Sequence, residues 1–237
     1  MSNFPFLRLQ GDLAALIART PAGQRLPSEP DLAKQMGVSR ATLRDAMRTF
    51  ETQGLIRRRQ GSGTFVVGKV QALDSGLEVL ESLETMAKRL GLEISVSNLS
   101  VEQIIADEQT AENINLAVGA PVLCVRRVIR TNTRSVAYLV DILPEDVLHL
   151  SDLPTYFRGS VLDFLLDRGD SLKTSRANIS ALGATADVAK ALEIQRGDVL
   201  LHFHSQLFDE RNKIVDYSLS YFIPGYFNFH VVRRVDG

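Results

Sequence analysis

The sequence predicts an α+β protein: an N-terminal winged helix-turn-helix joined to a C-terminal α+β domain with an antiparallel sheet. Three observations lead there. Two helix-like stretches separated by one glycine turn occupy residues 28–52. A pair of short strand patterns framed by glycines follows at residues 55–67. Beyond residue 77, strand-like and helix-like stretches alternate, the strands in pairs joined by short turns, as in antiparallel hairpins packed against helices.

The first element is "LQGDLAALIART", where Leu9, Leu13, Leu16 and Ile17 recur at helical spacing. "TPAGQRLP" reads as a loop from its Pro and Gly content. Ser28 opens the second helix and forms a capping-box pattern with Asp31, while Pro30 falls in the first turn, where its missing N–H is not needed. Leu32, Ala33 and Met36 make its apolar stripe, and Gly37 suits a left-handed C-terminal cap. Ser39 is the N-cap of a third helix over Arg40–Thr52, which buries Leu43, Ala46, Met47 and Phe50. Gly54 ends it. "LIRRRQGSGTFVV" then predicts a β-hairpin wing turning at Gly61–Gly63.

From Gly68 to Gly76 the pattern weakens and reads as a linker. The expected organisation is a winged helix-turn-helix domain at 1–68, a linker at 69–76, and a second domain at 77–237. "LEVLESLETMAKRLG" predicts a helix with Leu77, Leu80, Leu83 and Met86 on one side. Strands are expected at "ISVSNLSVEQI", "PVLCVRRVIRT", "VAYLVDILP", "SRANISALGA", "DVLLHFHSQLFD" and "IVDYSLSYFIP". Helices are expected at "DEQTAENINLA", "SVLDFLLDRG" with Ser160 and Asp163 as a capping box, and "TADVAKALEI".

Charge divides the chain in the same way. The 237 residues carry a formal net charge of −1, yet residues 1–70 hold eleven Lys and Arg against five Asp and Glu, and the remainder sixteen against twenty-three. A basic head on an acidic body predicts a polyanion facing the head. Six arginines lie between Val38 and Val66. Arg40, Arg44 and Arg48 share a helix face distinct from the buried one. In the strand, alternation places Arg57 and Arg59 on one side and Arg58 on the other. Arginine can grip phosphate or guanine with two parallel hydrogen bonds, and the start of a recognition helix reaches base edges in the major groove. Ser39, Arg40 and Thr42 sit at that end.

Other chemistries find little support. Cys124 is the only cysteine and lies in an apolar strand pattern, so it reads as core. His202 and His204 share a strand face, a weak metal signal with only two other histidines in the chain; no metal site and no cofactor are expected. No run of about eighteen apolar residues and no signal-peptide pattern occurs, so no membrane association and a cytoplasmic location are expected.

"LPSEPDLAKQMGVSRATLRDAMRTFETQGLIRRRQGSGTFV" resembles the winged-helix signature of GntR-family bacterial transcription regulators. The resemblance implies DNA contacts at Arg40, Thr42, Arg44 and Gly61, with Ser39 and Gln60 as weaker candidates; Arg48 joins them from its helix spacing. Many members carry arginine after "LPSE", where Pro30 stands here. The remainder, from Leu77 to Val235, resembles the UTRA ligand-binding domain of the HutC-type branch, a fold similar to chorismate lyase. That likeness implies that residues 77–237 are an effector-binding and dimerisation domain and that the effector is a small molecule. Arg127 matches the first arginine of a phosphate-binding Arg-x-Arg pair, but Ile129 takes the second place, with Arg130 adjacent. Leu139 stands where a glutamate is usual, and Asp141 follows two residues later on the same face. Ser160 matches a phosphate-binding serine, and Asp216 a ligand-contacting acid. Tyr221, on the strand after Asp216, completes the candidate effector residues. The substitutions weigh against the usual sugar phosphate.

The expected protein is a homodimeric transcription regulator, a repressor, binding an inverted repeat of double-stranded DNA and releasing it when an effector binds the C-terminal domain. The alternatives are an effector-processing enzyme, for which the sequence offers no nucleophile–base pair, and a non-specific architectural DNA binder.

Overall fold

A computed structural model describes residues 4–59, 62–67, 73–132 and 134–233. The chain separates into two compact units: residues 1–72 with 223–228, and residues 73–222 with 229–237.

The first unit holds α1 (Phe4–Arg19), α2 (Glu29–Gln35), α3 (Arg40–Thr52), β1 (Ile56–Arg59) and β2 (Gly63–Val66). Leu9, Leu13 and Ile17 of α1, Leu32 of α2, Leu43, Met47 and Phe50 of α3, and Ile56 and Val66 of the hairpin close one apolar core. α1 begins five residues before its predicted start, because Pro5 falls in the first turn, where no intrahelical N–H is used. Ser28 and Ser39 cap α2 and α3, their hydroxyls accepting from the N–H groups of Asp31 and Thr42. Gly37 adopts φ +65 and reverses the chain between the two helices.

The loop before α2 was expected to be irregular, but it adds a rung to the wing. Gly23 and Leu26 N–H groups donate to Val66 and Thr64 carbonyls, and Arg25 bridges to Phe65. The short segment 223–228 also packs in this unit: Tyr226 is buried, and a Cβ built on Gly54 would overlap its hydroxyl.

The second unit is built on a six-stranded antiparallel sheet. Its strands are β4 (Ser95–Ile105), β5 (Pro121–Arg130), β6 (Ser135–Pro144), β7 (Leu172–Gly183), β8 (Val199–Asp209) and β9 (Ile214–Phe222), in spatial order β4-β5-β6-β9-β8-β7. Helices α4 (Leu83–Arg89), α5 (Glu108–Ile114), α6 (Val161–Arg168) and α7 (Ala186–Leu192) complete it. On one sheet face Leu123, Val125, Leu143 and Leu207 pack with Val161 and Leu165 of α6. On the other, Val122, Cys124, Val140 and Tyr217 pack with Ala111 and Ile114 of α5. Burial pushes the Cys124 thiol up to about 11, which makes it an inert core group.

Two expectations are corrected here. Part of the stretch read as linker is a strand, β3 (Leu73–Gly76), which pairs with β10 (Phe227–His230). The helix expected from Leu77 starts only at Leu83, capped by Ser82, whose hydroxyl accepts from the Thr85 N–H at 2.9 Å. The Leu77 and Leu80 spacing mimicked a helical stripe, but these side chains are exposed, and the Leu77 N–H is taken by the His230 carbonyl.

Candidate functional site

The first unit presents its cations on two surfaces. On α3, Arg40, Thr42 and Arg44 are exposed and Arg48 is partly exposed, all away from Leu43, Ala46, Met47 and Phe50. The Arg44 Nε donates to Glu29 Oε2 at 2.6 Å, so the first turn of α2 orients a recognition-helix guanidinium. Arg48 lies 3.9 Å from Asp45. The Ser39 hydroxyl serves the cap and lies 2.8 Å from Thr42 Oγ1, so both hydroxyls are engaged locally.

The second surface is the wing. Strand alternation turns Arg58 inward, where it reaches Glu29 at 3.5 Å and Glu51 at 3.8 Å. Arg57 pairs across the strands with Phe65, and the Arg59 guanidinium lies 5.3 Å from the Phe65 ring centroid. Arg25 bridges to Phe65 from the other side, and its guanidinium lies over Gly63, where a Cβ would overlap it. Arg57 and Arg25 thus flank Phe65 on the neighbouring strands, Arg59 lies over its ring, and Gly63 leaves room for the Arg25 guanidinium. Sequence reasoning missed Arg25: it is remote in the chain and only the extra rung brings it to the wing. Gln60 and Gly61, the two wing-tip candidates, lie outside the described residues.

In the second unit the structure brings Arg127, Asp141 and Asp216 together. Arg127 on β5 pairs with Leu139 on β6, and Asp141, two residues on, shares that face. Asp141 pairs with Ser218 on β9, so Asp216 is on the same face one step along. All three side chains are buried. The Arg127 guanidinium donates to Asp141 Oδ2 and, at 3.2 Å, to Glu84 Oε1 on the first turn of α4. Burial opposes the Arg127 charge, but Asp141 and Glu84 outweigh it and hold it above its usual range. Burial also pushes Asp141 up, against the pull of Arg127. Asp216 is held well above the ordinary carboxyl range by burial and by the neighbouring Asp141 charge. Its Oδ1 is buried with no hydrogen-bond partner among the described residues.

Ser160 caps α6, its hydroxyl accepting from the Asp163 N–H at 3.3 Å. The preceding Gly159 abuts Arg127, with a Cβ there falling 2.7 Å from Arg127 Cδ. Asp163 in turn accepts from Ser82 at 2.7 Å and Thr85 at 3.2 Å, tying the start of α6 to the start of α4 beside the cluster. Among the described residues, no group of three His, Cys, Asp or Glu side chains is placed to hold a metal ion.

Comparison with known proteins agrees with this two-part construction. The model described as "Bacterial regulatory proteins, gntR family" matches residues 8–66, and that of the UTRA domain matches residues 89–228. An HTH-type transcriptional regulator of Mycobacterium tuberculosis is 30% identical over 229 residues, covering 90% of this chain and 79% of the relative. The chain belongs to the gntR family of bacterial regulatory proteins. The transcriptional repressor NagR of Bacillus subtilis is 28% identical over 179 residues, covering 74% of this chain and 72% of that one. The crystal structure of PhnF from Mycobacterium smegmatis, 23% identical, superposes with a TM-score of 0.64 over 96% of this chain and 100% of that one, a likeness of fold. The gntR-family relatives are named as regulators, and the chain is a transcription regulator rather than an enzyme.

Within this gntR-family chain, two effector candidates stand apart from the other four. Arg130 and Tyr221 point to the opposite sheet face from Arg127, because strand alternation reverses them. Arg130 donates to Glu193 at 2.9 Å and Ser135 at 2.8 Å. Tyr221 stacks near Tyr138 at 6.0 Å and His202 at 4.8 Å. His204 lies 3.0 Å from Asn113 Oδ1 on α5, also on that face. Glu84 was missed altogether. It comes from the stretch misread as a longer helix, and no local signal connects it to a strand 43 residues away.

Proposed function

We propose that this regulator is a cytoplasmic homodimer that represses transcription from an inverted-repeat operator. Ser39, Arg40, Thr42, Arg44 and Arg48 would enter the major groove on two symmetry-related α3 helices, and the wings, with Arg25, Arg57, Arg59 and the tip residues Gln60 and Gly61, would follow the flanking backbone. The observation that carries this reading is the Arg44–Glu29 contact at 2.6 Å. It holds an exposed guanidinium in a fixed direction at the reading end of the recognition helix, which reduces the ordering cost of a bidentate base contact.

A small molecule would bind the sheet face carrying Arg127, Asp141, Ser160 and Asp216 and bias the dimer toward a form with lower operator affinity. Repression is favoured by the names of two relatives, NagR and a probable fructoselysine utilization operon repressor of Escherichia coli. No helix among the described residues is long and apolar enough to cross a membrane.

The test is selection of bound duplexes from random DNA by the full chain, followed by sedimentation of the complex. Enrichment of a two-fold symmetric site occupied by two chains supports the proposal. Enrichment of no sequence, or a single chain on an asymmetric site, overturns it.

A further inference from the structure

The buried face of the second unit gathers three carboxyl groups, Glu84, Asp141 and Asp216, around Arg127. Asp141 and Glu84 both accept from Arg127. Asp216 remains, 7% exposed, beside Asp141 and with Oδ1 unpartnered. A second oxygen, Glu84 Oε2, is likewise buried without a hydrogen-bond partner among the described residues. The one guanidinium is already engaged by two carboxylates, so an incoming phosphate would have to displace them and then face Asp216. A group with positively charged N–H donors meets the opposite situation, since it can donate to the unpartnered Asp216 Oδ1 and brings positive charge to a cluster of carboxyl groups.

The sheet face beyond Asp216 carries hydroxyls. Ser218 and Ser220 follow it on the same face of β9, one every second residue, and Ser205 on β8 pairs directly with Ser218. These three serines are partly exposed, whereas Asp216 is buried. Beyond them the same face of β7 carries Ala177 and Ile179, which are exposed. The acidic end thus continues onto a face of mixed character, where Ser218 and Ser205 adjoin and Ser220 lies between Leu139 of β6 and Phe203 of β8.

We propose that the effector is a small polar molecule carrying a positively charged nitrogen, an ammonium or guanidinium, that binds Asp216 beside the Arg127–Asp141 pair and lays its body on Ser218, Ser220 and Ser205. This rests on the reading above that this sheet face is the effector site. The positive charge nearest Asp216, Arg127, is already shared by Asp141 and Glu84, and the ligand supplies a further one. Burial and the Asp141 carboxylate raise the proton affinity of Asp216, so the empty site can hold a proton that the cation replaces.

The experiment is thermal unfolding of the full chain with 10 mM probes in matched sets. Glucosamine and putrescine carry the positive nitrogen; N-acetylglucosamine and 1,4-butanediol lack it; glucose 6-phosphate is anionic. At least one cationic probe is expected to raise the melting temperature by about 3 °C. The matched probe without the charge should not, and Asp216→Asn should abolish the shift. Ser218→Ala, which leaves the charges in place, should reduce it and guards against misfolding of the first variant. Stabilisation by N-acetylglucosamine or glucose 6-phosphate alone, lost in Arg127→Lys, keeps the site and overturns the cationic effector. No shift with any probe, or a shift indifferent to Asp216→Asn, Ser218→Ala and Arg127→Lys, overturns both the cation and this face as the effector site.

Discussion

Arg44 on α3 and Glu29 on α2 are joined by a 2.6 Å hydrogen bond between side chains that are 53% and 20% exposed. The same Glu29 carboxylate reaches Arg58 of the wing at 3.5 Å. One acid therefore links both helices of the helix-turn-helix and the hairpin that follows. Exposed pairs of this kind contribute about 0–1 kcal/mol to stability, so the consequence lies in orientation.

Arg44→Ala is accordingly expected to weaken operator binding by about 10- to 100-fold, as loss of a bidentate base contact does, with little change in melting temperature. Fluorescence anisotropy with the selected operator measures the first and thermal unfolding the second. Unchanged affinity would remove Arg44 from the interface.

Ser39→Ala removes the hydroxyl that accepts from the Thr42 N–H at 3.1 Å. The expected loss is about 1 kcal/mol of stability, the usual contribution of an N-cap. Ser39→Asp, which keeps a capping acceptor but adds negative charge, should retain stability and lose DNA affinity. Equal behaviour of the two variants in denaturant titrations would contradict the cap.

Gly54→Ala is expected to destabilise the first unit by at least 1 kcal/mol. Gly54 has φ +71, which other residues adopt at a cost, and its Cβ would overlap the Tyr226 hydroxyl. Pairing it with Tyr226→Leu should recover the steric part alone; a double mutant no better than Gly54→Ala would show that backbone strain accounts for the whole loss.

Arg127→Ala leaves the buried Asp141 without its counter-charge, and a loss of about 3–5 kcal/mol at neutral pH is expected. Loss of effector response in that variant has to be read against its folding, which urea titration supplies. A change below 1 kcal/mol would mean that Asp141 is neutral in the folded protein.

Asp216 makes a prediction in pH. Its folded-state proton affinity is raised by burial and by Asp141, so between the unfolded carboxyl value, about 4, and its raised folded value the folded chain binds the extra proton. Stability from this group falls as pH rises through that window and is flat above it. The stability difference between Asp216→Asn and the unsubstituted chain should therefore grow in favour of the variant from pH 4 upward. A constant difference from pH 4 to pH 9 would place the folded Asp216 at an ordinary carboxyl value.

The winged helix was legible because its signals are local. Caps at Ser28 and Ser39, the turn at Gly37 and the apolar stripe of α3 each act within a few residues. The same alternation rule separated Arg58 from Arg57 and Arg59, and it put Leu139 and Asp141 on one face of their strand; the pairing of β5 with β6 then brought Arg127 to that face. Alternation also opposed Arg130 to Ile129, which the structure bears out by carrying Arg130 to Glu193 on the far side of the sheet. Leu77 and Leu80 misled because spacing of three or four residues arises in exposed chain as well as in helices.

Sequence alone determined the elements whose reasons lie within one turn of chain: capped helices, alternating strands, a basic head and an acidic body. Tertiary structure decided which charges meet. Arg25 reaches Phe65 only through a ladder to β2, Glu84 reaches Arg127 only through the placement of α4, and Asp216 lies beside Asp141 only because β9 pairs with β6. Periodicity assigns a side chain to a face of its own strand or helix; strand order and helix packing, which depend on contacts distant in sequence, assign that face its neighbours.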